Sequence, residues 1–208
     1  DFLIDTAKLR KYINSKDAKD WILHCEDYWY FLVTFIALLQ CKKRILLTQN
    51  ISESFIQEIK TESIEFLTDQ NVDDSTLIPT LIENAVLPTE EEFRCDIEIN
   101  SDETEILMFT SGSTGKPKAV PQRMTEFELD NAFIISKWAK EFTARKLVTT
   151  VSQHHIYGFL FGMSLPFTLG VPFRRTRITF PEEFEKLTDE KYVIIATPAF
   201  LKRTVEIE

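Results

Sequence analysis

Short β-rich runs alternate with helical stretches along this 208-residue chain, and that alternation constrains the fold more than any other feature. Residues 21–23, 44–47, 64–67, 105–109, 147–151 and 192–196 read as strands, being rich in Val, Ile, Leu and aromatic side chains. Residues 28–40 read as a buried helix capped by Asp27, and a short helix begins at Ser52 or Ser54 and ends near 59. A longer helix is expected over 124–142, where Phe127, Ile134, Ile135, Trp138 and Phe142 recur at helical spacing on one face. Further helices are expected after His155, over 181–187, and over 198–205 with Pro198 in the first turn. Residues 171–175 read as an edge strand, and residues 69–100 carry little signal beyond an acidic, solvated run at 90–92. Strands separated by helices need crossover connections, so the expected fold is α/β, a mostly parallel sheet flanked by helices.

Charge and cysteine usage narrow the function. The 24 basic residues face 33 acidic ones, a net charge of −9, which argues against a nucleic-acid partner. A small anion remains compatible, because backbone amides and one or two lysines suffice to hold it. Cys25, Cys41 and Cys95 lie far apart with no Cys-x-x-Cys pair, so neither a disulfide framework nor a zinc site is expected. A reducing cytoplasmic location fits this usage. The apolar run 28–39 is short of the ~20 residues needed to cross a bilayer. The run 156–171 is interrupted by Gly158, Gly162, Pro166 and Gly170, so no membrane span is expected.

Glycine is scarce, 5 in 208 residues against an average near 7%. Two of the five stand in the segment 110–118, Thr-Ser-Gly-Ser-Thr-Gly-Lys-Pro-Lys, which follows a strand and is expected to lead into a helix. Free amides, hydroxyls and ammonium groups together suit a polyphosphate. The Walker A pattern does not fit, since Gly112 lies only four positions before Lys116 and Pro117 stands where that loop needs Ser or Thr. On residues alone, a phosphate site and a Ser- and Gly-rich surface turn both remain open.

The segment from Phe109 to Lys118 resembles the signature loop of the adenylate-forming (AMP-binding) superfamily, which includes acyl-CoA synthetases, luciferases and peptide-synthetase adenylation domains. The resemblance implies an enzyme that activates a carboxylic acid, fatty or aryl, with ATP and Mg2+, and passes the acyl group to the thiol of coenzyme A or of a phosphopantetheine carrier. It implies phosphate contacts from Thr110, Ser111, Ser113 and Thr114, a loop shaped by Gly112 and Gly115, and a catalytic charge on Lys118. Residues 152–158 resemble the segment bordering the acyl pocket, with His155 as the matching residue and His154 structural; without the family, His155 reads first as a core or helix-capping histidine. Residues 194–198 resemble the strand and turn that precede the adenine-binding glycines.

Departures qualify the likeness. Ala119 stands where the family has Gly, and Pro121, Gln122 and Arg123 also differ, pointing to a divergent branch and toward an acyl carrier protein as acceptor. Family members are more than twice as long, so residues 1–208 are expected to form an incomplete N-terminal domain, inactive alone and prone to self-association through its truncated face. An alternative is a non-catalytic domain that keeps the fold and only binds nucleotide or a partner. A kinase-like NTPase would need an acidic metal ligand ending a strand, and no segment offers one. Elsewhere, Arg174, Arg175 and Arg177 read as charges protecting an edge strand, and Lys42, Lys43 and Arg44 as a solvated turn. Trp138 and Phe142 read as core, and Cys41 has no base beside it.

Overall fold

The computed structural model describes residues 1–90, 92–93, 99–111, 117–187 and 191–205. They divide into two compact units, Asp1–Thr125 and Glu126–Glu208. Both are α/β. The first holds α1 (Phe2–Asn14), β1 (Asp20–His24), α2 (Tyr28–Gln40), β2 (Arg44–Leu47), α3 (Glu53–Ile59), β3 (Ile64–Thr68), β4 (Thr76–Leu77), α4 (Ile78–Asn84), β5 (Glu105–Ser111) and β6 (Pro117–Arg123). The strands form one sheet in the order β4-β3-β1-β2-β5-β6, parallel throughout except for β5 and β6.

β1 lies in the middle and every one of its residues is buried. Strand side chains alternate between faces, so both faces of β1 must be covered. On one face Ile22, Leu46 and Phe66, level in register, pack with Ile56 of α3. On the other, Trp21 meets Tyr12 of α1 edge-on, with ring centroids 6.4 Å apart. α2 packs on this sheet and carries α1 and α4 against it. That position explains why α2 is apolar nearly all round.

The polar ends of β1 are each satisfied. At its start, the buried Asp20 carboxylate takes two hydrogen bonds from Arg44, at 2.7 and 2.6 Å, and a third from the Thr61 hydroxyl at 3.1 Å. At its far end, the Asp69 carboxylate accepts from the amides of Glu26 (3.1 Å) and Asp27 (2.8 Å), and Asp27 in turn caps α2 by accepting from the Trp29 amide at 2.7 Å. Arg44 is therefore an ordered partner of Asp20 rather than part of a solvated turn. Lys42 and Lys43 are tied too: the Lys42 ammonium lies 2.6 Å from Glu103, and that of Lys43 donates to the Ala18 carbonyl at 2.9 Å.

Four elements go beyond the sequence expectation. α1, the β4–α4 pair and β6 are regular structure where little or none was expected. α5 (Met124–Thr143) agrees closely with its expected span, and Phe127, Ile134 and Phe142 are buried. Trp138 is a correction. Its backbone leaves the helical region (φ −131°, ψ 16°) and kinks α5, leaving the indole 48% exposed rather than in the core.

The second unit continues with β7 (Lys146–Thr149), α6 (Ile156–Phe159), a π-helical turn (Leu160–Ser164), α7 (Leu165–Leu169), a 3-10 turn (Pro181–Lys186), β8 (Tyr192–Ile195) and α8 (Pro198–Val205). β7 and β8 pair in parallel, and Ile134, Phe142, Leu147, Leu165 and Ile195 form a core. In place of the edge strand expected at 171–175, Phe173 makes a single bridge to Leu147. Arg174 is not a free edge charge, since it donates to Glu183 at 2.9 Å. The amides of Thr179 and Phe180, together with Arg174, hold the Glu183 carboxyl below the usual carboxylate range. No described helix is long and apolar enough to cross a membrane.

Removing Arg44 leaves a buried carboxylate short of its partner, a cost moderated because the guanidinium is 43% exposed. Arg44→Ala is expected to lower unfolding stability by about 1–3 kcal/mol in urea titrations, with Arg44→Lys recovering part of it because a single ammonium cannot replace a bidentate fork. A loss below ~0.5 kcal/mol for Arg44→Ala would show that the pair does not support the sheet.

Candidate functional site

The segment 110–118 does not run from a strand into a helix. β5 and β6 pair antiparallel through seven registered positions, Glu105 with Arg123 through Ser111 with Pro117, so the segment is the end of a hairpin. β6 separates it from α5, and the N-terminus of α5 therefore supplies none of its charge. What remains is the set of amides, hydroxyls and ammonium groups that the segment carries itself.

The hairpin is anchored from below. Leu107 and Phe109 pack against the α3 side of the sheet, and Phe109 meets Phe55 edge-on with centroids 5.8 Å apart. Thr110 and Lys118 are direct cross-strand partners, and the Thr110 hydroxyl donates to the Lys118 carbonyl at 3.5 Å. Opposed residues in an antiparallel pair project from the same face. Thr110 and Lys118 thus stand side by side at the mouth of the connection, both exposed, with Ser111 and Pro117 one register further out. Among the described residues no carboxylate is paired with Lys118. Gly112, Ser113, Thr114 and Gly115 lie outside the described residues.

His155 belongs to the second unit, at the end of β7 where the chain turns into α6. Thr149 starts this turn: its hydroxyl donates to the Val151 carbonyl at 3.1 Å and accepts from the Val151 amide at 3.0 Å. Ser152, Gln153 and His154 follow, all buried, with the Ser152 hydroxyl 2.8 Å from His154 Nδ1. The His155 amide donates to the Ser152 carbonyl at 3.1 Å, and the His155 ring, exposed, caps α6 by accepting the Tyr157 amide at Nδ1. His154 is a structural residue here and His155 a capping one.

Sequence reading missed Gly158. A Cβ built there would lie 2.0 Å from the Ser152 carbonyl oxygen, closer than any real contact, so only glycine lets the helix close over the turn. The scarcity of glycine was the available signal. Among the described cysteines, Cys25 is buried and burial pushes its thiol up; burial likewise pushes Cys41 up to about 11.

A family model described as AMP-binding enzyme matches residues 36–206. The chain belongs to the AMP-binding enzyme family. Solved structures share the fold. MatB from Rhodopseudomonas palustris, with ATP bound, matches at a TM-score of 0.74 and 14% identity, over 99% of this chain and 45% of that one. MenE from Bacillus subtilis, an o-succinylbenzoate coenzyme A synthetase in complex with AMP, matches at 0.74 and 19% identity, over 99% and 56%. The NpsA N-terminal subdomain from Klebsiella oxytoca, in complex with 3-hydroxyanthranilyl-AMSN, matches at 0.73 and 15% identity, over 98% and 54%. The chain spans about half the length of the structures it matches. A search of curated proteins gave no match. Family membership is consistent with the signature at 109–118, and at these identities the structural likeness is one of fold.

A thiol raised to about 11 is a thiolate far less often than an ordinary one. At about pH 8, Cys41 is expected to react with iodoacetamide on the order of a hundredfold more slowly than a free cysteine, and Cys25 not at all until the protein unfolds. Peptide mapping by mass spectrometry checks both. Rapid native labelling of either would contradict the buried setting.

Proposed function

We propose that residues 1–208 are the N-terminal part of an enzyme that activates a carboxylic acid with ATP and passes the acyl group to a thiol. One carboxylate oxygen attacks the α-phosphorus, the bond to the bridging oxygen of pyrophosphate breaks, and an acyl-adenylate forms. The thiol then attacks the acyl carbon and AMP leaves. The observation that carries this reading is the Thr110–Lys118 pair at the mouth of the family's signature segment.

Lys118 places a positive charge where the pyrophosphate leaving group gains negative charge, which is electrostatic stabilisation rather than acid–base work. Thr110, Ser111, Ser113 and Thr114 offer hydroxyl and amide donors to the phosphate oxygens, and Gly112 and Gly115 let the backbone come close. No base is required to generate the nucleophile, because a carboxylic acid is already ionised at neutral pH. Among the described residues no three His, Cys, Asp or Glu side chains cluster to hold a metal. In this reading Mg2+ would be held through the nucleotide's phosphate oxygens and would supply positive charge there in addition to that of Lys118. His155 borders the acyl pocket, the acid is fatty or aryl, and the acceptor is coenzyme A or the phosphopantetheine of an acyl carrier protein in the cytoplasm.

The 208-residue chain alone holds one side of such a site, so it binds ATP weakly and does not turn over. Exposed Ile194 and Leu201, 47% and 49% accessible, support self-association of the isolated chain. MatB and MenE support a ligase reading through their shared fold.

In the full-length enzyme, Lys118→Ala is expected to slow ATP–pyrophosphate exchange by about 10²–10³-fold with the acid KM within about twofold. An unchanged rate would remove Lys118 from the mechanism. The chain by itself, given ATP, Mg2+ and a panel of acids, is expected to release no pyrophosphate above background. Turnover at the rate of a complete synthetase would show that it carries a whole active site.

A further inference from the structure

The exposed His155 ring is held by a bond whose direction is not open to choice. Tyr157 N–H lies 3.2 Å from His155 Nδ1, and a backbone amide can only donate. Nδ1 must therefore present a lone pair, and in a neutral imidazole the ring proton then sits on Nε2. We infer that His155 is fixed as the Nε2–H tautomer and so meets its ligand as a hydrogen-bond donor to an oxygen, never as an acceptor or a base.

The surroundings hold the ring in this state. The His155 amide is tied to the Ser152 carbonyl at 3.1 Å, and the His155 carbonyl accepts the Phe159 amide at 2.8 Å. The residue is thus bonded on both sides of its own backbone. The Ser152 hydroxyl lies 3.3 Å from the His154 amide, which fixes the preceding residue as well. Gly158 lets the helix approach that same Ser152 carbonyl, so the cap and the close helix–turn contact depend on one another. Tyr157, the donor, is held by its ring against Phe161, with centroids 4.9 Å apart. Among the described residues nothing is bonded to His155 Nε2, which is the group left to face a ligand.

Two kinds of role separate here. A base or a metal ligand at Nε2 would need the proton on Nδ1, and that proton would point at the Tyr157 N–H. A donor needs none of this rearranged. For an enzyme acting on acids, the fitting partner is an acceptor oxygen of the acid, its carboxylate or another oxygen along it. That last step rests on the proposed pocket role of His155; the tautomer does not.

The test is nitrogen-15 NMR of the protein labelled at its three histidines, His24, His154 and His155, with the His155→Gln variant assigning the resonances. At about pH 8, where imidazoles are ordinarily neutral, His155 Nδ1 is expected in the range of a non-protonated ring nitrogen and Nε2 in that of a protonated one. An Nδ1–H pattern, or the averaged shifts of two tautomers exchanging freely, overturns the inference. Gly158→Ala is expected to lose the fixed pattern in favour of averaged shifts. If that variant folds and keeps the pattern, Gly158 has no part in it; if it fails to fold, the unsubstituted protein still decides the tautomer. Neither reading depends on adenylation activity, so failure here and failure of the ligase proposal are separate results.

Discussion

Complete burial of β1 is the constraint from which the rest of the first unit follows. A strand with parallel neighbours on both sides and helices on both faces has no solvent to satisfy its ends. Asp20 at one end is held by the Arg44 fork, and at the other Asp69 draws the amides that lead into α2. α2 must then be apolar on nearly its whole circumference, since it lies between the sheet and α1. The order of strands, the composition of α2 and the charged pairs are consequences of one placement.

Elements fixed by local chemistry were legible in the sequence. α2 runs from Tyr28 to Gln40 behind its Asp27 cap as expected, and α8 spans Pro198–Val205 with proline in its first turn. Elements fixed by partners were not. α1 buries Asp5 and Thr6 along with Leu9 and Ile13, which dilutes its apolar stripe below recognition. β6 carries Pro117 and Pro121, so its residues do not look like a strand until β5 supplies the other half of the ladder. Trp138 obeys the helical spacing, yet the backbone kinks at that residue, and periodicity carries no information about a kink.

The candidate site shows the same division. Thr110 and Lys118 could be picked out by residue type, but their standing opposite one another depends on an antiparallel pairing invisible to a search for a strand–loop–helix motif. The sequence offered His155 both as a capping residue and, through the family resemblance, as a pocket residue; the geometry realises the cap and leaves the outer ring nitrogen unbonded among the described residues. These two readings are compatible, because capping uses only Nδ1.

The two prolines of β6 also set how far the sheet can grow. Proline has no amide hydrogen to offer a ladder, so both must turn their nitrogens away from β5, toward the outer edge. A foreign strand approaching there would meet Ala119 flanked by two positions that cannot donate. At the opposite edge, β4 offers only two residues. An unfolded or misfolded neighbour therefore finds little to pair with on either flank of this sheet.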